Sequence, residues 1–220
     1  MRALVFDAYG TLFDVTSVIT ACGKVASDPE AFAALWRAKQ LEYAFLRSLY
    51  GRYKDFWRIT QDALRYTCKR YNQAISSAPE QQLMEAWLHL QPFPEVKNTL
   101  PQLTALPRLI LSNGTPTMLS TLLDNTRLKA EFDAILSVDA VRVYKPAPQV
   151  YELAVRHLGC MPHEIVFLSA NSFDVAGAKT FGFTVCWVNR SGAVLDELDV
   201  VPDATVQTLA ELPTVLSTLD

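Results

Sequence analysis

Five short, largely apolar runs limit what this 220-residue chain can fold into. They are Ala3–Phe6, Arg108–Leu111, Ala134–Val138, Ile165–Leu168 and Thr184–Val188. Each is bounded by polar or turn-forming residues. A strand with one wet face alternates apolar and polar side chains, and most of these runs do not. Continuous apolar strands suit a parallel sheet covered on both faces. Helical patterns at Thr117–Asp124, Gln149–Leu158 and Asp174–Phe181 separate the last four runs. Strand, helix, strand in series predicts an α/β fold with a doubly wound, Rossmann-like parallel sheet.

Residues 15–91 read differently, with three or four helical segments and no convincing strand. Phe32, Leu35, Trp36, Tyr43 and Leu46 follow one helix face. Phe56, Ile59, Ala63, Tyr66 and Cys68 suggest a second, and Leu83, Trp87 and Leu90 a third. Pro92-Phe93-Pro94 then breaks the pattern. The simplest layout is an α/β core of residues 1–14 plus 92–220, interrupted by a helical cap of residues 15–91. There is no internal repeat.

Composition removes several classes of function. Half of the residues are hydrophobic and 20% are charged, which excludes a disordered chain. Lysine and arginine number 20 against 23 acidic residues, a net charge of −3. Such a chain has no electrostatic reason to grip nucleic acid or an anionic membrane. The apolar start MRALVFD is too short for a signal peptide, and no run approaches a membrane span. A soluble cytoplasmic protein is expected. The only histidines are His89, His157 and His163, whose placement does not suggest a three-histidine metal site. Cys22, Cys68, Cys160 and Cys186 form no C-x-x-C pair, so free thiols in a reducing compartment are expected.

In open parallel sheets, ligands bind beyond the carboxyl ends of the strands. The first run leads into Asp7-Ala-Tyr9-Gly-Thr11, and the second into Ser112-Asn113-Gly-Thr115. Tyr144-Lys145-Pro146 follows the third, and Ser169-Ala-Asn171-Ser-Phe173-Asp174 ends the fourth. Each has an ordinary structural reading when taken singly. An aspartate after a strand caps a turn, Ser-Asn-Gly is a common loop, a lone lysine is a surface charge, and Asp174 suits the first turn of a helix. Four consecutive strand ends with complementary chemistry outweigh those readings together.

This set resembles the haloacid dehalogenase superfamily. Asp7-x-Tyr9-Gly-Thr11-Leu-Phe-Asp14 is similar to its nucleophile motif. Ser112-Asn113-Gly, Lys145-Pro146 and Ser169-x-Asn171-x-x-Asp174 are similar to its other three, in the same order. Leu35-Trp-Arg37-Ala-Lys-Gln-Leu-Glu-Tyr43 and Gly51-Arg-Tyr-x-Asp-Phe56-Trp resemble the L-2-haloacid dehalogenase branch. The superfamily's phosphatases carry a second aspartate, their general acid, where this chain has Tyr9. They also need magnesium to offset phosphate charge. A halide leaves without a proton, so the resemblance implies a dehalogenase with no metal and no cofactor.

The resemblance further implies that Asp7 attacks C2 of a small anionic L-2-haloacid with inversion, forming an ester that water hydrolyses to a D-2-hydroxy acid. Lys145 would stabilise the Asp7 charge, and Thr11 and Ser169 would orient it. Arg37, Asn113 and Phe173 would hold the halide. Ser112 and backbone N–H groups after Asp7 would hold the substrate carboxylate. Asp174, with Asn171 and Lys145, would activate the water. Tyr9, Leu41, Phe56 and Tyr151 are expected around the alkyl group, where core packing is the competing reading. A homodimer is implied, with Leu46, Leu49 and Tyr50 as candidate contacts.

Two positions depart from many relatives. Ala38 and Ala170 stand where a glutamine and a serine are common, so a widened pocket or weaker halide support is expected. Three other functions compete. They are a magnesium phosphatase, a hydrolase of a strained cyclic amino acid such as azetidine-2-carboxylate, and a silent scaffold.

Overall fold

The computed structural model describes residues 1–74 and 76–219. In chain order the strands and α-helices are β1 (Ala3–Phe6), β2 (Phe13–Asp14), α1 (Ile19–Cys22), α2 (Pro29–Leu49), α3 (Phe56–Arg70), α4 (Ser77–Ala86), β3 (Gln91–Pro92) and α5 (Val96–Thr99). They continue with β4 (Arg108–Ser112), α6 (Pro116–Thr126), β5 (Ala134–Ser137), α7 (Pro148–Leu158), β6 (Ile165–Ser169), α8 (Ser172–Phe181), β7 (Thr184–Val188), β8 (Ala204–Val206) and α9 (Leu212–Leu216).

The main sheet is parallel throughout, in the order β5-β4-β1-β6-β7-β8. Strand order reverses beside β1, with β4 on one side and β6 on the other, and Asp7 follows β1 at that switch point. Every residue of β1 and β6 is buried, as the continuous apolar runs predict. The short edge strand β8 (Ala-Thr-Val) carried no apolar run long enough to read. The two-residue strands β2 and β3, paired antiparallel as Phe13 with Pro92 and Asp14 with Gln91, were equally illegible.

Between β2 and β3 the chain is helical. Caps set the helix starts: the side chain of Asp28 accepts from Ala31 N–H, and that of Asp55 from Arg58 N–H. Phe32 and Trp36 on α2, Phe56 and Ile59 on α3, and Leu83, Trp87 and Leu90 are buried, as their spacing predicts. Leu46 and Tyr66 instead face outward, 42% and 37% exposed, because the inward stripe of α2 runs through Trp36, Gln40 and Ala44 and that of α3 through Ala63, Leu64 and Thr67.

Specific contacts hold these helices over the strand ends. Tyr144 donates from its hydroxyl to Lys54 O (2.6 Å) and from its N–H to Ser48 Oγ (3.0 Å). Its ring stacks on Tyr53, whose hydroxyl donates to Asp139. All four cysteines are unpaired and buried. Among the described residues, no helix is long and apolar enough to cross a membrane.

Candidate active site

Asp7 is 5% exposed, and its two oxygens are held unequally. Oδ2 accepts from Thr11 Oγ1 (2.8 Å), Asn171 Nδ2 (2.7 Å) and, more weakly, Ser169 Oγ (3.4 Å). Among the described residues, Oδ1 accepts only from Lys145 Nζ, at 3.1 Å. The turn after Asp7 passes through Gly10 at φ +86°, a conformation open to glycine. Thr11 is fixed in turn, its hydroxyl accepting from Ala170 N–H at 2.9 Å.

Lys145 bridges two carboxylates. Its Nζ also lies 2.8 Å from Asp174 Oδ2, and it sits over the Phe167 ring. Burial alone would lower the Lys145 pKa, but Asp174 and Asp7 outweigh it and hold the ammonium above its usual range. Asp174 is fully buried, and burial raises its carboxyl to about 6 against the opposing pull of Lys145. Tyr151 donates to the remaining Asp174 oxygen at 2.8 Å.

Above Asp7, α2 brings Arg37 toward the strand ends. Burial pulls its guanidinium down to about 10, with Asp7 and Tyr9 acting the other way, so it stays charged at neutral pH. Arg37 Nη1 donates to Gln40 Oε1 (2.6 Å), Gln40 Nε2 to Thr60 Oγ1 (2.6 Å), and Thr60 Oγ1 to Phe56 O (2.6 Å). No carboxylate lies in ion-pair range of Arg37 among the described residues. Asn113 Oδ1 accepts from Lys145 N–H at 3.1 Å, which leaves its amide group as a donor. Asp7, Tyr9, Arg37, Leu41, Phe56, Asn113, Lys145, Asn171 and Phe173 enclose a cavity of about 10 Å³. That is roughly the room one water needs.

The combination is a buried carboxylate with one lightly held oxygen, a bridging ammonium, and a guanidinium and amide with donors to spare. It suits attack on a carbon that carries an anionic leaving group. Residues 1–182 match the family model of the haloacid dehalogenase-like hydrolases. The chain belongs to this family.

Within it, the chain is 42% identical to an (S)-2-haloacid dehalogenase of Pseudomonas putida, covering 96% of this chain and 95% of that one. It is 43% identical to the haloacetate dehalogenase H-2 of a Moraxella species, covering 94% and 93%. The structure of the L-2-haloacid dehalogenase from Xanthobacter autotrophicus with chloropropionic acid covalently bound aligns over both whole chains, with a TM-score of 0.94 and 39% identity.

In this haloacid dehalogenase-like chain, most residues singled out in the sequence meet at the cavity or directly behind it. Two lie elsewhere than expected. Tyr151, expected beside the alkyl group, is fully buried beneath Asp174 among Phe167, Phe181 and Phe183. Its helix α7 packs behind the sheet ends, so the ring cannot reach the cavity and only the hydroxyl serves the site. Ala38 is exposed on the outer face of α2, so it neither widens the pocket nor weakens the donors. The amide that supports Arg37 is Gln40. One sequence signal pointed to it: a polar residue on the stripe otherwise formed by Trp36 and Ala44. Ala170 contributes its backbone, with N–H on Thr11 and C=O accepting from Trp187 Nε1. Ser112 is buried, its Oγ accepting from Gly114 N–H at 3.1 Å, and is not a wall of this small cavity. Tyr9 packs against Phe56 and Trp87, and its buried hydroxyl has no partner among the described residues.

Proposed function

We propose that this protein hydrolyses short L-2-haloalkanoic acids to D-2-hydroxy acids. The observation that carries the reading is the unequal holding of Asp7. Oδ1, bound among the described residues only by Lys145, is the oxygen free to attack. It displaces the halide from C2 on the opposite face, so the C–halogen bond breaks with its electron pair and a C2–O ester bond forms. Arg37 and Asn113 receive the halide, with Phe173 beside it.

Water then attacks Cγ of the Asp7 ester. The negative charge that develops falls on Oδ2, where Thr11, Asn171 and Ser169 already point their donors. Cleavage of the Cγ–O bond leaves the original Asp7 oxygen on the product alkoxide, which takes up the proton that the added hydroxyl releases as the carboxylate reforms. Asp174 takes up the proton of the water, with Lys145 Nζ bridging the two. Ser112 and the backbone after Asp7 serve the substrate carboxylate, and Tyr9, Leu41 and Phe56 serve the alkyl group.

Lys145 occupies the position between Asp7 and Asp174 that a bridging metal would need, and no third His, Cys, Asp or Glu joins them among the described residues. With Tyr9 in place of a second aspartate, this argues against the magnesium phosphatase. Opening a strained ring nitrogen needs a proton delivered to that nitrogen as it leaves, a step that halide release does not require. In this reading residues 15–91 are a cap domain over a core of 1–14 plus 92–220. The protein acts in the cytoplasm as a homodimer through Leu46, Leu49 and Tyr50, which are 42%, 84% and 57% exposed.

The test is incubation with L- and D-2-chloropropionate, with and without a chelator. Halide release from the L substrate alone, D-lactate as product and indifference to chelator are expected. No halide from any 2-haloacid overturns the proposal. A single turnover in ¹⁸O-labelled water is expected to leave the label in Asp7.

A further inference from the structure

Phe173 and Lys145 each face two spaces. On one side is the catalytic cavity of about 10 Å³, and on the other an apolar groove of about 390 Å³. The groove is bordered by Phe45, Ser48, Leu49, Tyr144, Pro146 and Ala147 as well as those two residues. On the groove side, the ring of Phe45 meets that of Phe173 edge to face with centroids 5.2 Å apart.

The polar groups around the groove are already engaged. Ser48 Oγ donates to Ala44 O (2.9 Å) and accepts from Tyr144 N–H (3.0 Å), while Lys145 Nζ is held by its two carboxylates. What the groove offers is apolar surface.

One ridge of α2 links the two spaces. Arg37, Leu41, Phe45 and Leu49 follow at intervals of four residues and so lie on one side of the helix. Arg37 and Leu41 line the catalytic cavity, while Phe45 and Leu49 line the groove, Phe45 being the nearer of the two to the cavity along the ridge. Eight residues of helix from Leu41 to Leu49 span about 12 Å. A hydrocarbon chain that starts against Leu41 and lengthens along this ridge meets the Phe45 ring first and the groove beyond it.

We propose that the groove is a latent subsite for the alkyl tail of longer 2-haloacids, and that the Phe45–Phe173 pair is the partition that restricts the native enzyme to short substrates. The inference rests on the dehalogenase reading. Phe45 touches no reacting atom and acts on chain length alone. The partition excludes the added methylenes that the groove would otherwise bury, at about fourfold in kcat/KM per methylene.

The test compares L-2-chloropropionate with L-2-bromobutanoate, L-2-bromohexanoate and L-2-bromooctanoate, using the full-length wild type and Phe45→Ala. The variant is expected to change kcat/KM for chloropropionate less than threefold and to raise it for bromohexanoate at least tenfold. Phe45→Leu, which keeps the apolar volume and loses the ring, is expected to give a smaller shift in the same direction. Adding Ala147→Leu to Phe45→Ala refills the groove and is expected to cancel the gain. Chloropropionate turnover with an unmoved chain-length profile in both Phe45 variants overturns the subsite while leaving the dehalogenase reading intact. A gain that survives Ala147→Leu overturns it as well.

Discussion

Tyr151 donates its phenolic proton to Asp174 at 2.8 Å, from below the site and out of reach of the cavity. Burial pushes this tyrosine's pKa well above its ordinary value, so it remains a donor at any pH the protein tolerates. A permanent donor on the carboxylate favours the ionised form of Asp174. Burial acts the other way and wins, leaving the group near 6.

If Asp174 must be ionised to take the proton of water, kcat falls as pH drops through about 6. Tyr151→Phe removes a donor to the anion, so the acidic limb is expected to move to higher pH. Asp174→Asn is expected to reduce kcat at least a hundredfold and to abolish the limb. A pH profile of halide release from 4.5 to 9 checks both. A limb unmoved in Tyr151→Phe would mean that another group titrates there.

Stability should carry the same signature. A carboxyl with a raised folded-state pKa keeps a proton that the unfolded chain has already released. Its contribution is full below the unfolded pKa of about 3.9 and is lost as pH rises through the folded value. Urea midpoints of the wild type are expected to fall between pH 4 and 6 more steeply than those of Asp174→Asn.

Lys145→Met leaves Asp7 and Asp174 buried without their shared cation. Removing one partner of a buried ion pair costs about 3–5 kcal/mol, so a large loss of stability at pH 7 is expected together with loss of activity. The loss is expected to shrink toward pH 4, where Asp174 can protonate. Equal destabilisation at both pH values would contradict the network.

Gln40→Leu keeps Arg37 but removes the amide that aims it, and leaves Thr60 Oγ1 without its donor. A tenfold or greater fall in kcat is expected, larger for chloride than for bromide because the poorer leaving group leans harder on the donors. Steady-state rates on the two 2-halopropionates decide this. Equal losses for both would make Gln40 a folding residue only.

Tyr9 and Gly114 give opposite stability changes at one contact. The Tyr9 hydroxyl is buried without a partner among the described residues, so Tyr9→Phe is expected to stabilise by about 1 kcal/mol. A Cβ on Gly114 would stand 2.8 Å from Cε2 and 2.9 Å from the hydroxyl of Tyr9. Gly114→Ala is therefore expected to destabilise by about 1–3 kcal/mol and to displace the Tyr9 ring from the cavity wall. Thermal unfolding of the two variants checks the signs.

The amino-acid sequence by itself determined the strands of the sheet centre and the polar residues at their carboxyl ends. A strand buried on both faces must be apolar throughout, and the chemistry follows it within a few residues, so both are local signals. Asp7, Asn113, Lys145, Asn171 and Asp174 were legible for that reason. Tertiary structure alone decided which way side chains point and what they touch across long separations. Lys145 reaches Asp7 across 138 residues, and Gln40 reaches Thr60 across 20. No spacing rule showed that Tyr151 serves Asp174 from behind, that Ala38 faces solvent, or that Phe45 packs edge to face on Phe173. Each depends on how one element rotates against another, and that rotation is set by packing the whole core at once.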